Sequence, residues 1–199
     1  MDLAGNEVID GIRAHLQGAP DFLTTRHLRR AARRVARETL AWKAEVYRAQ
    51  SVEDERSVAV DPTGAPANLR NSRVWMLDGA WTEIEGQDDP EPVEMEWDGV
   101  NATVAAGSRK VAGVLVVRAV LEPDDTATVL PDNPFDLYRD AIFAWTLREM
   151  CVIPGTHWYK PSARADHERD YRTWIADAAV RTARRGTTGR IRTGTREFI

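Results

Sequence analysis

Arg26-His27-Leu28-Arg29-Arg30-Ala31-Ala32-Arg33-Arg34-Val35-Ala36-Arg37-Glu38-Thr39-Leu40-Ala41-Trp42 carries its apolar residues at Leu28, Ala31, Ala32, Val35, Ala36 and Leu40. Spacing of three and four is the period of one helix face, so a helix over about 25-43 is predicted. Thr24 or Thr25 can cap its N-terminus, and Arg26, Arg29, Arg30, Arg33, Arg34 and Arg37 fall on its other sides. Upstream, Val8, Ile9, Ile12 and Leu16 mark a shorter helix over about 6-17, closed by Gly18-Ala19-Pro20.

Downstream, over about 44-130, the period changes to short β-prone runs: Glu45 to Ala49, Arg56 to Val60, Ser72 to Leu77, Glu94 to Trp97, Ala102 to Ala105 and Val111 to Leu121. Asp78-Gly79 and Asp98-Gly99 read as hairpin turns, because tight hairpins favour residues that tolerate positive φ. Val114-Leu115-Val116-Val117-Arg118-Ala119-Val120-Leu121 is the longest apolar run of the region and is expected at the sheet's centre. After Leu130-Pro131, Asp132 or Asn133 can cap a largely buried helix over about 134-150, with Pro134 in its first turn. Pro154-Gly155 ends it. A last helix over about 162-184 presents His167, Tyr171, Trp174, Ile175, Ala178, Ala179 and Thr182 on one face. The expected fold is α+β: about four helices in a layer, a small, mostly antiparallel sheet, one domain over 1-185, and a C-terminal arm over 186-199.

The chain has 199 residues, 43% of them hydrophobic, which suffices for one buried core. No run approaches the roughly 18 apolar residues of a membrane span, and the N-terminus lacks a signal pattern, so synthesis in a cytoplasm is expected. The net charge of −4 conceals a division: 8 basic against 5 acidic residues over 1-43, 7 against 18 over 44-134, and 12 against 8 over 135-199. A basic side and an acidic side suit identical subunits meeting head to tail, and equally suit plain solubility.

Motifs with a clear chemical mechanism are missing: there is no phosphate loop, GxGxxG, HExxH or Cys-x-x-Cys. His15, His27, His157 and His167 stand on different predicted elements, without metal-ligand spacing. Cys151 reads as a buried thiol; pairing it with His157 as nucleophile and base lacks an orienting carboxylate. The acids Asp88, Asp89 and Glu91, and then Glu94, Glu96 and Asp98, read as a solvated sheet face, since Met95 and Trp97 alternate with the second set. A small hydrolase built on these acids is the weakest alternative. Trp42, Trp145 and Trp174 read as core. No catalytic, cofactor or metal residues are assigned. The Arg-rich helix 26-37 could neutralise phosphates, which makes a nucleic-acid-binding protein the main alternative. It lacks the Asn, Gln or Ser of base-reading helices, and an interface between copies through Arg29, Arg30, Arg33 and Arg37, or a plain charged face, is preferred.

The order of parts resembles the head-to-tail adaptor proteins of tailed bacteriophages, also called connector or head-completion proteins, a group that includes the tail tubular protein A type. The likeness is carried by Phe22 to Trp42, by Leu130-Pro131, by Tyr138-Arg139-Asp140-Ala141-Ile142, by Pro154-Gly155-Thr156-His157-Trp158-Tyr159 and by Tyr171-Arg172-Thr173-Trp174. It implies a non-enzymatic structural protein of the virion neck. Such a protein forms a homo-oligomeric ring of about a dozen copies, joining the portal protein to a downstream tail or nozzle protein, with DNA only as passing genome. It also implies that the arm grips the portal. The candidate anchors here are Arg190, Arg192, Arg196, Phe198 and Ile199; the alternative for the arm is a disordered tail. The acidic middle and strongly basic first helix depart from the tail tubular type.

Overall fold

The computed structural model describes residues 2–3, 6–50, 57–59, 72–87, 89–99, 101–105, 113–127, 129–130 and 135–186. Over these residues the chain is α+β. In chain order it forms α1 (Asn6–Arg13), α2 (Asp21–Thr39), β1 (Lys43–Gln50), β2 (Ser57–Ala59), β3 (Ser72–Glu83), β4 (Glu91–Pro92), β5 (Met95–Trp97), β6 (Asn101–Val104), β7 (Val114–Pro123), α3 (Arg139–Met150) and α4 (Arg164–Gly186). Among the described residues, no helix is long and apolar enough to cross a membrane.

Helix α2 begins four residues before the sequence reading placed it. Pro20 occupies the N-cap in an extended conformation, and Asp21 adds negative charge to the first turn. Thr24 lies inside the helix and is buried; its hydroxyl donates to the Pro20 carbonyl (3.1 Å), so neither it nor Thr25 caps the helix. The helix also stops early. Leu40 adopts φ 50 and its N–H donates to Ala36 O, a left-handed C-cap that costs a leucine about 1 kcal/mol. The turn delivers Trp42 to the core. Its carbonyl accepts from Leu121 N (2.8 Å) and its ring meets Phe135 edge-on at 5.3 Å.

The main sheet is antiparallel with strand order β1-β7-β3-β4, and β7 is central, as its apolar run led one to expect. Asp98-Gly99 makes the expected hairpin: Gly99 has φ 101 and β5 pairs with β6 in a second sheet of order β2-β6-β5. Asp78-Gly79 does not turn the chain. Strand β3 runs straight through it along β7, with register shifts between Val74 and Met76 and between Leu77 and Gly79. Each shift is a bulge that inserts one residue, Trp75 and then Asp78. The bulges keep Val74, Leu77 and Ala80 opposite Leu121, Ala119 and Val117, all on one face, although they are three apart.

That face holds both apolar clusters. Ala119 and Leu121 join the helices, where Leu28, Ala31, Ala32, Val35 and Ala36 of α2 meet Ala141, Ile142, Leu147 and Met150 of α3. Alanines at the contact let the helices approach closely. Leu115 and Val117, nearer the start of β7, join Ala102, Met95 and Trp97 of the small sheet. The other face of β7 presents Val116, Arg118, Val120 and Glu122. Tyr171 and Ala178 of α4 are buried as expected, whereas Trp174 is 39% exposed and is not a core residue. It lies one step around the helix from the buried stripe. Residues 131–134, with the expected caps of α3, and the arm after Gly186 lie outside the described residues.

Candidate functional site

The arginines of α2 form two rows, each with the four-residue step that keeps side chains on one side of a helix. Arg29, Arg33 and Arg37 face the end of β7. Arg29 Nε donates to Ala127 O (2.7 Å) and its Nη1 to Asp125 O (2.5 Å). Arg33 Nε donates to Pro123 O (2.6 Å) and Nη2 to Asp125 Oδ1 (2.7 Å). Arg37 Nη2 donates to Glu122 Oε1 (3.0 Å), and Arg73 of β3 donates through Nε to the same oxygen (2.6 Å). As the row descends from Arg37 to Arg29, its acceptors run from Glu122 to Ala127. Guanidinium groups therefore occupy the carbonyls that β7 would leave unpaired as it exits the sheet.

Glu122 is 1% exposed. Burial works to raise its pKa, but hydrogen bonds and charge from Arg37 and Arg73 outweigh it and hold the carboxyl below its ordinary range. Arg37 also lies over the Trp75 ring at 3.9 Å, so the first bulge of β3 supplies the aromatic surface on which that guanidinium rests. The second bulge places Asp78 between Lys43 Nζ (2.5 Å) and Arg118 Nε (2.6 Å). There too burial raises the pKa and the two cations lower it further than burial lifts it.

Arg26, Arg30 and Arg34 form the outer row, and all three are exposed. Arg34 pairs with Glu38 (2.5 Å) and stacks on Trp145 at 4.0 Å, with Arg148 on the same indole at 4.2 Å. The Tyr171 hydroxyl donates to Glu38, and burial together with that acceptor raises the phenol's pKa. Arg30, Arg33, Arg34, Arg37 and Glu38 line a groove of about 400 Å³. Among the described residues neither Arg26 nor Arg30 has a carboxylate within ion-pair distance. Phe22, one step before Arg26 in the same row, is 76% exposed.

Of the four arginines expected between copies, Arg29, Arg33 and Arg37 are bonded within their own chain, Arg37 while remaining exposed, and Arg30 is exposed. The five arm residues Arg190, Arg192, Arg196, Phe198 and Ile199 lie outside the described residues. Glu94, Glu96 and Asp98 are exposed on the small sheet while Met95 and Trp97 turn inward. Asp98 accepts from Asn101 N (2.6 Å), closing the hairpin. The buried Cys151 thiol donates to Arg148 O (3.4 Å) and burial raises its pKa, which opposes a thiolate. Among the described residues, no three of His, Cys, Asp and Glu gather as a metal site. Sequence reasoning missed Glu122, Arg73 and Asp78; the doubled four-residue step of the arginines was the available signal. No protein-family model matches the chain, and no curated protein matches it.

Proposed function

We propose that this chain is a structural adaptor of a tailed-bacteriophage neck. It joins a portal ring to the tail through protein contacts, without catalysis. The observation that carries the reading is the use made of its ionic groups. Arg29, Arg33, Arg37, Arg73, Lys43 and Arg118 are bonded to β7, to the segment after it or to the Asp78 bulge, where they brace the fold. What the surface then offers is contact area: Phe22, Tyr159, Trp174 and Val180 among exposed apolar groups, beside charged rows. The element order, two helices, a sheet and two further helices leading into the arm, supports the same reading through its likeness to the adaptor layout.

A nucleic-acid surface on α2 has the outer row alone to draw on, because the inner row is bonded within the chain. The test is co-sedimentation of the purified chain with portal rings of the same virus, full length against a version ending at Gly186, where α4 ends. Binding by the full chain and its loss on truncation is the expected result. Binding by neither would overturn the proposal.

A further inference from the structure

Resting on the adaptor reading, we infer that the outer row of α2 docks onto the small sheet of a second copy through Arg26 and Arg30 against Glu94 and Glu96; Arg34 already pairs with Glu38 and Asp98 already closes its hairpin, so the contact is assigned to the other four. Two exposed rows of opposite charge occur in one chain, and their steps match. Residues four apart on a helix advance about 6 Å. Alternate residues on a strand advance about 6.6 Å. The two arginines and the two acids are therefore set at nearly equal spacing.

A single chain cannot make this contact. The inner arginine row fixes α2 at the end of β7, through Glu122 and Pro123, and carries Arg26 and Arg30 beyond it. The small sheet packs on Leu115 and Val117, near the start of β7, where β4 pairs with Trp81 and Thr82. Nine steps of strand, about 30 Å, separate Val114 from Pro123. The rows meet only between copies, and the contact is heterologous: each copy gives one row and receives the other. Repetition of such a contact closes into a ring when the rotation between copies divides a full turn. The inner row contributes by fixing the helix, so the outer guanidinium groups start from a rigid base. Phe22 extends the strip with an apolar group at its N-terminal end.

The test uses two full-length charge reversals, Arg26→Glu/Arg30→Glu and Glu94→Lys/Glu96→Lys, and sedimentation velocity at low and high salt. Wild type is expected to self-associate at low salt and to dissociate as salt rises. Each reversed chain, facing like with like, should associate on the order of a hundredfold more weakly. An equimolar mixture of the two should recover association, since wild-type and swapped contacts then alternate. Wild type that stays monomeric at low salt, reversed chains that associate like wild type, or a mixture that fails to recover would overturn the contact. So would loss of duplex DNA retention by Arg26→Glu/Arg30→Glu with self-association intact, which would give the row to nucleic acid. Portal co-sedimentation, measured on the same chains, separates the two claims: portal binding without self-association removes this contact and leaves the adaptor reading standing.

Discussion

Replacing Glu122 with glutamine changes no volume and removes one charge from a site that is 1% exposed. In the native chain its carboxylate accepts from Arg37 Nε (2.5 Å) and Nη2 (3.0 Å) and from Arg73 Nε (2.6 Å). Hydrogen bonds to charged groups contribute about 1.5–3 kcal/mol each. An amide oxygen in the place of Oε1 still accepts from Arg37 Nη2 and Arg73 Nε in weaker, uncharged form, while the amide nitrogen in the place of Oε2 faces Arg37 Nε donor to donor. Removing one partner of a fully buried pair costs about 3–5 kcal/mol. Here the side chains of Arg37 and Arg73 are 39% and 46% exposed and regain water when released, which lowers the cost. The expected loss is about 2–3 kcal/mol, or a fall in Tm of roughly 4–12 °C for a chain of this size. Arg73→Met should cost about half as much, since Arg37 still neutralises the carboxylate. The double replacement should then cost clearly less than the sum of the two. Urea unfolding at pH 7 of the four chains measures all three quantities. A loss below about 0.5 kcal/mol for Glu122→Gln, or strict additivity in the cycle, would refute the role given to this site.

His27 and His167 both titrate below the ordinary imidazole value, in each case first because of burial. Arg30 and Arg26 lower His27 further against Glu149, and His15 and Lys160 lower His167 against Asp170 and Asp166. Between about 6.5 and the lower folded values the unfolded chain binds protons that the folded chain refuses. Stability is therefore complete above about pH 6.5 and falls as pH drops through that window; His27→Gln/His167→Gln should flatten a plot of Tm against pH there, and an unchanged slope would count against the assignment. A Cβ at Gly113 would lie 2.4 Å from Glu83 O and 2.7 Å from Thr82 Cγ2, so Gly113→Ala should cost about 2 kcal/mol or more in urea unfolding. Ile142→Ala, in the contact between α2 and α3, should cost about 3 kcal/mol, while Phe22→Ala should stay within about 0.5 kcal/mol because that ring is outside the core.

Helices were legible from the spacing and extent of their apolar residues. The stripe from Leu28 to Ala36 is buried as its spacing indicated, and the nearly all-round apolar pattern of α3 indicated a buried helix. The ends of α2 were less legible. Thr24 and Thr25 are good caps by residue type, yet Pro20 and Asp21 start the helix earlier, and Leu40 takes a left-handed conformation that no leucine advertises. Strand β3 was cut short because period-two reasoning assumes an unbroken pleat. Bulges at Trp75 and Asp78 shift the alternation twice, and Asp78-Gly79 then imitates a hairpin turn. The ionic core of Glu122, Arg37 and Arg73 was invisible for another reason: its members are 85 and 49 residues apart, and only the fold brings them together. Arginine number was read correctly as a feature of α2, but which arginines face inward depends on where β7 ends.

Electron microscopy of portal rings from the same virus, incubated with the full-length chain, tests the adaptor assignment most directly. The expected image is a portal carrying a second ring of density on its tail-facing side, sharing the portal's rotation axis and missing when the chain ends at Gly186. Bare portal rings after incubation with the full-length chain, at concentrations where the protein remains folded, would contradict it.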